Sequence, residues 1–286
     1  MTNVLVTGAQ GQLGKDLVDL LKVSGYTVFA MGRPELDIIN EEKVNNIMST
    51  IKPEVIVHCA AFTHVDRAEL EPDTAFLINA MGTRNIAIAA ERHQSKLIYI
   101  STDYVFDGCS NSPYHEFSPT SPINIYGSSK LAGEKMIHDF HSRFFIVRTS
   151  WVFGGNGSNF VKTMLKLSTE KEQLKVVNDQ FGCPTYTVDL SKCILKLMET
   201  NKYGIYHVSN AGNCSWFEFA QEIFRQTNHS ITLEPCTTDE FPSLATRPKY
   251  SVLNHMGLRI NGFDPMPHWK NALERFLQNN GSKQKN

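Results

Sequence analysis

Short runs of aliphatic and β-branched residues alternate with amphipathic stretches of helical length through the first half of the chain, and this alternation leaves few folds open. Residues 4–7 are followed by 12–23, 27–30 by 41–51, and 55–58 by a helical stretch over 73–91. Residues 97–101 and 144–148 add two more strands, with a helix over about 124–140 between them. Such buried-looking runs belong in a parallel sheet covered by helices on both faces. The pattern predicts an α/β chain, a Rossmann-like doubly wound parallel sheet whose ligands gather at the carboxyl ends of the strands.

Beyond Arg148 the texture changes. Gly154-Gly155-Asn156-Gly157 interrupts the pattern, a helix is expected over 158–168, and Val176 and Val177 read as a strand returning to the sheet. A helix over 187–200, a short strand over 204–208, an N-capped helix start at Ser215-Trp216-Phe217-Glu218 and a last helix over 267–277 follow. The polar tail from residue 278 to 286 is expected to carry no structure.

Bulk properties narrow the partners. With 286 residues and 41% hydrophobic content the chain can form one large or two modest cores. A formal net charge of -1 argues against nucleic acid or an anionic membrane as the main partner. No apolar stretch approaches the ~20 residues that span a bilayer. The strand-like run from residue 3 or 4 leaves no room for a signal peptide. The six cysteines lack a C-x-x-C pair and read as reduced thiols, so a cytoplasmic protein without a zinc site is expected.

Thr7-Gly8-Ala9-Gln10-Gly11-Gln12-Leu13-Gly14 directly follows the first strand and opens the first helix. Gly8 permits the tight turn, Gly11 lets backbone approach a pyrophosphate, and Gly14 permits close helix-on-sheet packing. A glycine triplet alone also suits an ordinary strand-turn-helix junction; its placement favours a dinucleotide lying against Gly8, Gln10, Gly11, Gln12 and Leu13. No carboxylate follows Ala30 in the next two positions to hold the ribose hydroxyls of NAD. Arg33 comes soon after, either as a partner for the 2′-phosphate of NADP or as a solvated loop charge, so NADPH is expected and NADH remains open. Asp37 and Ile38 would then lie near the adenine. Residues 1–150 and 176–205 are assigned to this dinucleotide-binding part, and 151–175 with 206–286 mainly to a smaller α/β substrate-binding part.

Tyr126 and Lys130 stand one helical turn apart. A phenol is a poor acid or base near neutrality, with an ordinary pKa of about 10. An ammonium on the same helix face would favour the phenolate, so the pair could shuttle a proton to or from a carbonyl. The same spacing occurs in helices as a surface tyrosine beside a solvated lysine. Thr102, at the end of the strand over 97–101, tips the balance, because its hydroxyl would face the cofactor cleft and orient a substrate carbonyl.

These segments resemble the extended short-chain dehydrogenase/reductases, and within them the dTDP-4-dehydrorhamnose reductase family. The stretches that carry the resemblance are residues 7–14, 59–66, 79–83, 101–108, 126–134, 148–154, 179–185 and Arg247-Pro248. Ser101-Thr102-Asp103-Tyr104-Val105-Phe106-Asp107-Gly108 and Arg148-Thr149-Ser150-Trp151 are specific to that branch; the glycine loop and the Tyr/Lys pair belong to the superfamily. The resemblance implies that Thr102, Tyr126 and Lys130 form the catalytic triad. It places Ala60, Ala61, Thr63 and Asn79 at the cofactor, and Thr63, Val65, Asp103, Tyr104 and Trp151 at the sugar. Trp151 could instead be a core aromatic. Arg247 is expected on the diphosphate, or in a structural ion pair.

The implied reaction is NADPH-dependent reduction of the C4 ketone of dTDP-6-deoxy-L-lyxo-4-hexulose to dTDP-L-rhamnose. A nucleotide-sugar 4,6-dehydratase shares the loop and the Tyr/Lys pair but needs an Asp-Glu pair after the catalytic threonine, where this chain has Asp103-Tyr104. A 4-epimerase commonly carries an acidic ribose clamp that is missing after Ala30. Another nucleotide 4-keto sugar, or a binding role like that of the regulatory subunit of methionine adenosyltransferase, are the remaining alternatives. His58, His64 and His207 lack ligand-like spacing and are expected in core or loop roles. Some relatives are described as using magnesium, for which Asp16 is the one candidate acid, so no required metal is expected. A homodimer through an exposed apolar helix face is possible.

Overall fold

A computed structural model describes residues 2–281. In chain order the first part comprises β1 (Asn3–Thr7), α1 (Gln12–Val23), β2 (Thr27–Met31), α2 (Glu41–Ile51), β3 (Val55–His58), α3 (Val65–Leu70), α4 (Pro72–Phe76), α5 (Thr83–Arg92), β4 (Lys96–Thr102), α6 (Ile125–Phe140) and β5 (Phe144–Thr149). The chain continues through β6 (Val152–Phe153), α7 (Phe160–Glu170), β7 (Gln173–Val177), β8 (Phe181–Gly182), β9 (Thr185–Tyr186), α8 (Thr187–Met198) and β10 (Gly204–His207). It ends with β11 (Cys214–Ser215), α9 (Trp216–Thr227), β12 (Thr232–Cys236), α10 (Met256–Ile260) and α11 (Trp269–Gly281).

The central sheet has six strands in the order β10-β5-β4-β3-β1-β2, with every neighbouring pair parallel. Strand order reverses between β1 and β3, and that switch point opens the crevice in which ligands of such sheets bind. Helices cover both faces, as expected of a doubly wound fold. Leu13, Leu17 and Leu21 of α1 join Leu190, Ile194 and Leu197 of α8 on one face. Val44 and Met48 of α2, Ile86 and Ala90 of α5 and Ile137 of α6 fill the other.

A separate core holds the outer part together, with Phe153, Val161, Phe219, Ile223, Trp269 and Phe276 at its centre. The α9 helix starts on a capping box in which the Ser215 hydroxyl accepts from Glu218 N and the Glu218 carboxylate accepts from Ser215 N.

Three expectations need correction. The stretch over 73–91 is not one regular helix: a π-helical segment over Leu77–Gly82 separates α4 from α5. Gly82 sits where a Cβ would meet Ile38 Cδ1 at 2.7 Å, so packing against the loop after β2 shapes this turn. Val176 and Val177 do not return to the central sheet; β7 pairs with β12 in a two-stranded sheet of its own. The returning strand is β10, which pairs with β5, so a boundary at 205/206 falls inside a strand of the central sheet. Of the polar tail, residues 278–281 form the last turn of α11, and 282–286 lie outside the described residues.

Candidate active site

The glycine loop lies at the switch point. Gly8 has a φ of +64°, and a Cβ there would stand 2.6 Å from Ala60 N, so the loop rests directly on the end of β3. Gly11 caps α1 with no side chain, which leaves the N–H groups of the first helical turn facing outward from the helix start. That cradle fits a pyrophosphate. Its walls are backbone rather than side chain: Leu13 is buried in the core, and the Gln12 amide is taken up by Val152 O at 3.0 Å and Asn159 Nδ2 at 2.8 Å. Gln10 is exposed and lies against Gly32.

Arg33 is exposed in the loop after β2, with its Nε 3.9 Å from the Asp37 carboxylate. Ile38 is buried. Ala60 and Ala61 are half-buried just beyond β3, where Ala60 N donates to Thr7 Oγ1 at 3.3 Å. Asn79 is a clasp with no exposed face. Its Oδ1 accepts from Phe62 N at 2.8 Å, and its Nδ2 donates to Phe62 O at 3.0 Å and Ser129 Oγ at 2.9 Å. It therefore holds the loop after β3 onto α6. His58 lies buried between the Thr7 and Thr83 hydroxyls, and burial pushes it down to about 3, so it is neutral at ordinary pH.

Tyr126 and Lys130 lie on successive turns of α6, whose N-cap Asn124 accepts from Gly127 N at 2.8 Å. A Cβ on Gly127 would collide with Tyr104 O, so glycine is what lets the helix start approach the end of β4. Thr102 closes β4 and donates to Asp103 Oδ1 at 3.1 Å, with the Tyr126 phenol beside it. The Tyr104 and Tyr126 rings meet edge to face at 5.8 Å.

The expected lowering of Tyr126 by Lys130 does not hold in this arrangement. Burial pushes the phenol up to about 12, against the pull of the neighbouring Thr102 hydroxyl, and the Asp103 carboxylate adds to the rise. Lys130 instead donates from Nζ to Ile100 O at 2.7 Å and lies 4.0 Å from the Tyr99 ring centroid. Burial pulls Lys130 down to about 7, with Glu134 opposing.

On the sugar side, Thr63 is exposed and Val65 is the half-buried first residue of α3. Asp103 is buried, accepting from Ser251 Oγ at 2.5 Å as well as from Thr102. Trp151 is half-buried against Trp216. Arg247 pairs with Asp66 at 2.8 Å. Asp66, Ser251, Glu134 and Trp216 were not singled out from sequence. Only Glu134, at helical spacing after Tyr126 and Lys130, carried a usable signal. Asp16, the candidate magnesium acid, is taken up by Thr187 Oγ1 and by Asn156 Nδ2. Among the described residues no group of three or more His, Cys, Asp or Glu is placed to hold a metal ion.

A glycine loop at the switch point, facing a Tyr-x-x-x-Lys helix across the ends of β3 and β4, defines the class of the extended short-chain dehydrogenase/reductases. The family described as RmlD substrate binding domain matches residues 1–281. The chain is 45% identical over 282 residues to the spore coat polysaccharide biosynthesis protein SpsK of Bacillus subtilis (strain 168), covering 99% of each. It is 41% identical to a dTDP-4-dehydrorhamnose reductase of Aggregatibacter actinomycetemcomitans, covering 96% of this chain and 98% of the relative. The crystal structure of dTDP-4-dehydrorhamnose reductase from Bacillus anthracis str. Ames in complex with NADP superposes with a TM-score of 0.96 at 50% identity, covering 98% of this chain and all of that one. The chain belongs to the dTDP-4-dehydrorhamnose reductase family.

Proposed function

We propose that the chain reduces the C4 ketone of dTDP-4-dehydro-6-deoxy-L-mannose (dTDP-6-deoxy-L-lyxo-4-hexulose) to dTDP-L-rhamnose with NADPH, the last step in making that sugar nucleotide. The observation that carries the reading is the placement of Tyr126, one turn before Lys130 on α6 and edge to face with Tyr104, just past the Thr102 end of β4. When bound, NADPH supplies the hydride for the ketone carbon. Thr102 orients the ketone oxygen, and Tyr126 gives its proton to that oxygen as negative charge builds. A phenol held near 12 stays protonated at neutral pH, which is the form a reduction consumes. Lys130 would hold the nicotinamide ribose.

In this reading Gly8, Gln10, Gly11, Gln12 and Leu13 line the pyrophosphate, the loop residues chiefly through backbone. Arg33, Asp37 and Ile38 serve the adenosine end, and Ala60, Ala61, Thr63 and Asn79 the rest of the cofactor, with Asn79 acting through the loop it clasps. Thr63, Val65, Asp103, Tyr104, Trp151 and Arg247 form the sugar-nucleotide side. The product is a glycosyl donor suited to surface polysaccharide, in keeping with the Bacillus subtilis relative.

The enzyme works in the cytoplasm, a placement supported by six free cysteines and by the lack of any described helix long and apolar enough to cross a membrane. A homodimer would use the exposed Leu77 and Met81, one turn apart. The test is loss of NADPH absorbance with enzymatically generated dTDP-6-deoxy-L-lyxo-4-hexulose and detection of dTDP-L-rhamnose. A folded, NADPH-binding protein that turns over only other nucleotide 4-keto sugars, or none, contradicts the assignment.

A further inference from the structure

Trp151 is held where its own backbone resists. Its φ of +46° lies in the left-handed region, uncommon for a bulky side chain. The residue stands two positions past Thr149, which pairs in register with Thr102, so this turn is made beside the reacting end of β4. The Trp151 carbonyl accepts from Thr185 N at 3.1 Å, which fixes the turn.

The indole so delivered lies flat on Trp216, with ring centroids 3.4 Å apart and planes within 5°. Gly182 completes the seat: a Cβ there would lie 2.6 Å from Trp151 Nε1 and 2.8 Å from Cζ2, so any side chain would displace the ring. Trp216 is the anchored half of the pair. Its indole N–H donates to Gln180 Oε1 at 3.2 Å, and Gln180 Nε2 donates to Thr238 Oγ1 at 3.0 Å. Thr238 in turn donates from N and Oγ1 to Asp179 Oδ1 at 2.8 and 2.7 Å. The Trp151 N–H has no such partner among the described residues. One indole is tied down; the other presents a free donor.

We propose that Trp216 is a positioning residue for the reaction. It sets where the Trp151 indole edge and its N–H stand beside the keto sugar, and so sets sugar affinity without touching the sugar. The proposal rests on the assignment of Trp151 to the sugar site made above. Two stacked indoles bury a large rigid area, so the pair moves as a unit. The Gln180 arm gives that unit a fixed end.

Trp216→Leu removes the stacking partner, whereas Gly182→Ala pushes Trp151 off it. Each is measured for KM of the dTDP-4-keto sugar, kcat, NADPH affinity, and the exciton couplet that stacked indoles give in circular dichroism. Both variants should lose the couplet and raise the sugar KM by about tenfold or more, since small misplacements at a site are costly, with NADPH affinity within about twofold. Trp216→Phe should recover part of the KM, and Gln180→Leu should fall between wild type and Trp216→Leu.

Loss of the couplet with an unchanged sugar KM, while Trp151→Ala raises it, would overturn the proposal: Trp151 would then act without its partner. An unchanged sugar KM in Trp151→Ala would remove Trp151 from the sugar site and take down the underlying assignment. If Trp216→Leu does not fold, Gly182→Ala and Trp216→Phe decide the matter by the same readouts.

Discussion

Glu134 and Arg148 are locked together in the interior by two hydrogen bonds, Nε to Oε1 at 2.9 Å and one terminal nitrogen to Oε2 at 2.7 Å. Their side chains are only 5% and 4% exposed. Ser101, which pairs in register with Arg148, donates to the same carboxylate at 2.5 Å. Because Glu134 is one turn beyond Lys130, this knot fixes the helix carrying Tyr126 and Lys130 against the strand carrying Thr102.

Removing one partner of such a pair leaves a buried charge uncompensated. Glu134→Gln or Arg148→Met should therefore lower stability by about 3–5 kcal/mol, and the double variant by less than the sum. Urea denaturation of the four proteins checks this. Additive effects would mean that the pair does not act as a unit.

Asp103 gives the chain a pH signature. Burial pushes its carboxyl from 3.8 up to about 7, against the hydrogen bonds from Ser251 and Thr102 that pull it down. The raised value means that folding favours the protonated form. The stability from this group is complete below the ordinary carboxylate range and is lost as pH rises through about 7. Asp103→Asn has no such proton to lose. Denaturation at about pH 5 and about pH 8 should show the mutant gaining on wild type at the higher value, whereas a constant difference would contradict the shift.

Arg33 is exposed and only loosely paired with Asp37, at 3.9 Å, so its guanidinium is available to a 2′-phosphate. Arg33→Ala should raise KM for NADPH by about tenfold and leave KM for NADH within about twofold. Equal effects on the two cofactors would place Arg33 elsewhere.

The seat of the glycine loop is equally exposed to test. Gly8→Ala would add a Cβ at a positive φ, against the backbone of Ala60. NADPH affinity, followed by its fluorescence, should fall by about tenfold or more with the circular dichroism preserved. Unchanged affinity would put the dinucleotide outside the loop.

The central sheet, the glycine loop and the one-turn spacing of Tyr126 and Lys130 were legible because their signals are local. Buried strands such as β1 and β3 each carry three aliphatic residues in a row, the glycine spacing encodes the turn, and Tyr126 and Lys130 share a face by helical period. The outer part was harder to read for a physical reason. Strands β6, β8, β9 and β11 are two residues long, too short to show a period. Val176 and Val177 fit any sheet, and only their partner strand β12 decides which. The clasp that the Asn79 amide makes on Phe62 and Ser129 leaves no mark in the residue spacing. The stack of Trp151 on Trp216 and the pairing of Arg247 with Asp66 join distant parts of the chain, and spacing cannot reveal such contacts.

The central claim is that Tyr126 gives its proton to the reduced carbonyl, and Tyr126→Phe tests it most directly, with turnover of dTDP-6-deoxy-L-lyxo-4-hexulose and NADPH affinity measured on the same preparation. The account predicts a fall in kcat of about 10²- to 10⁴-fold with NADPH affinity within about twofold of wild type. A mutant that keeps near wild-type kcat would contradict it and send the proton to another donor.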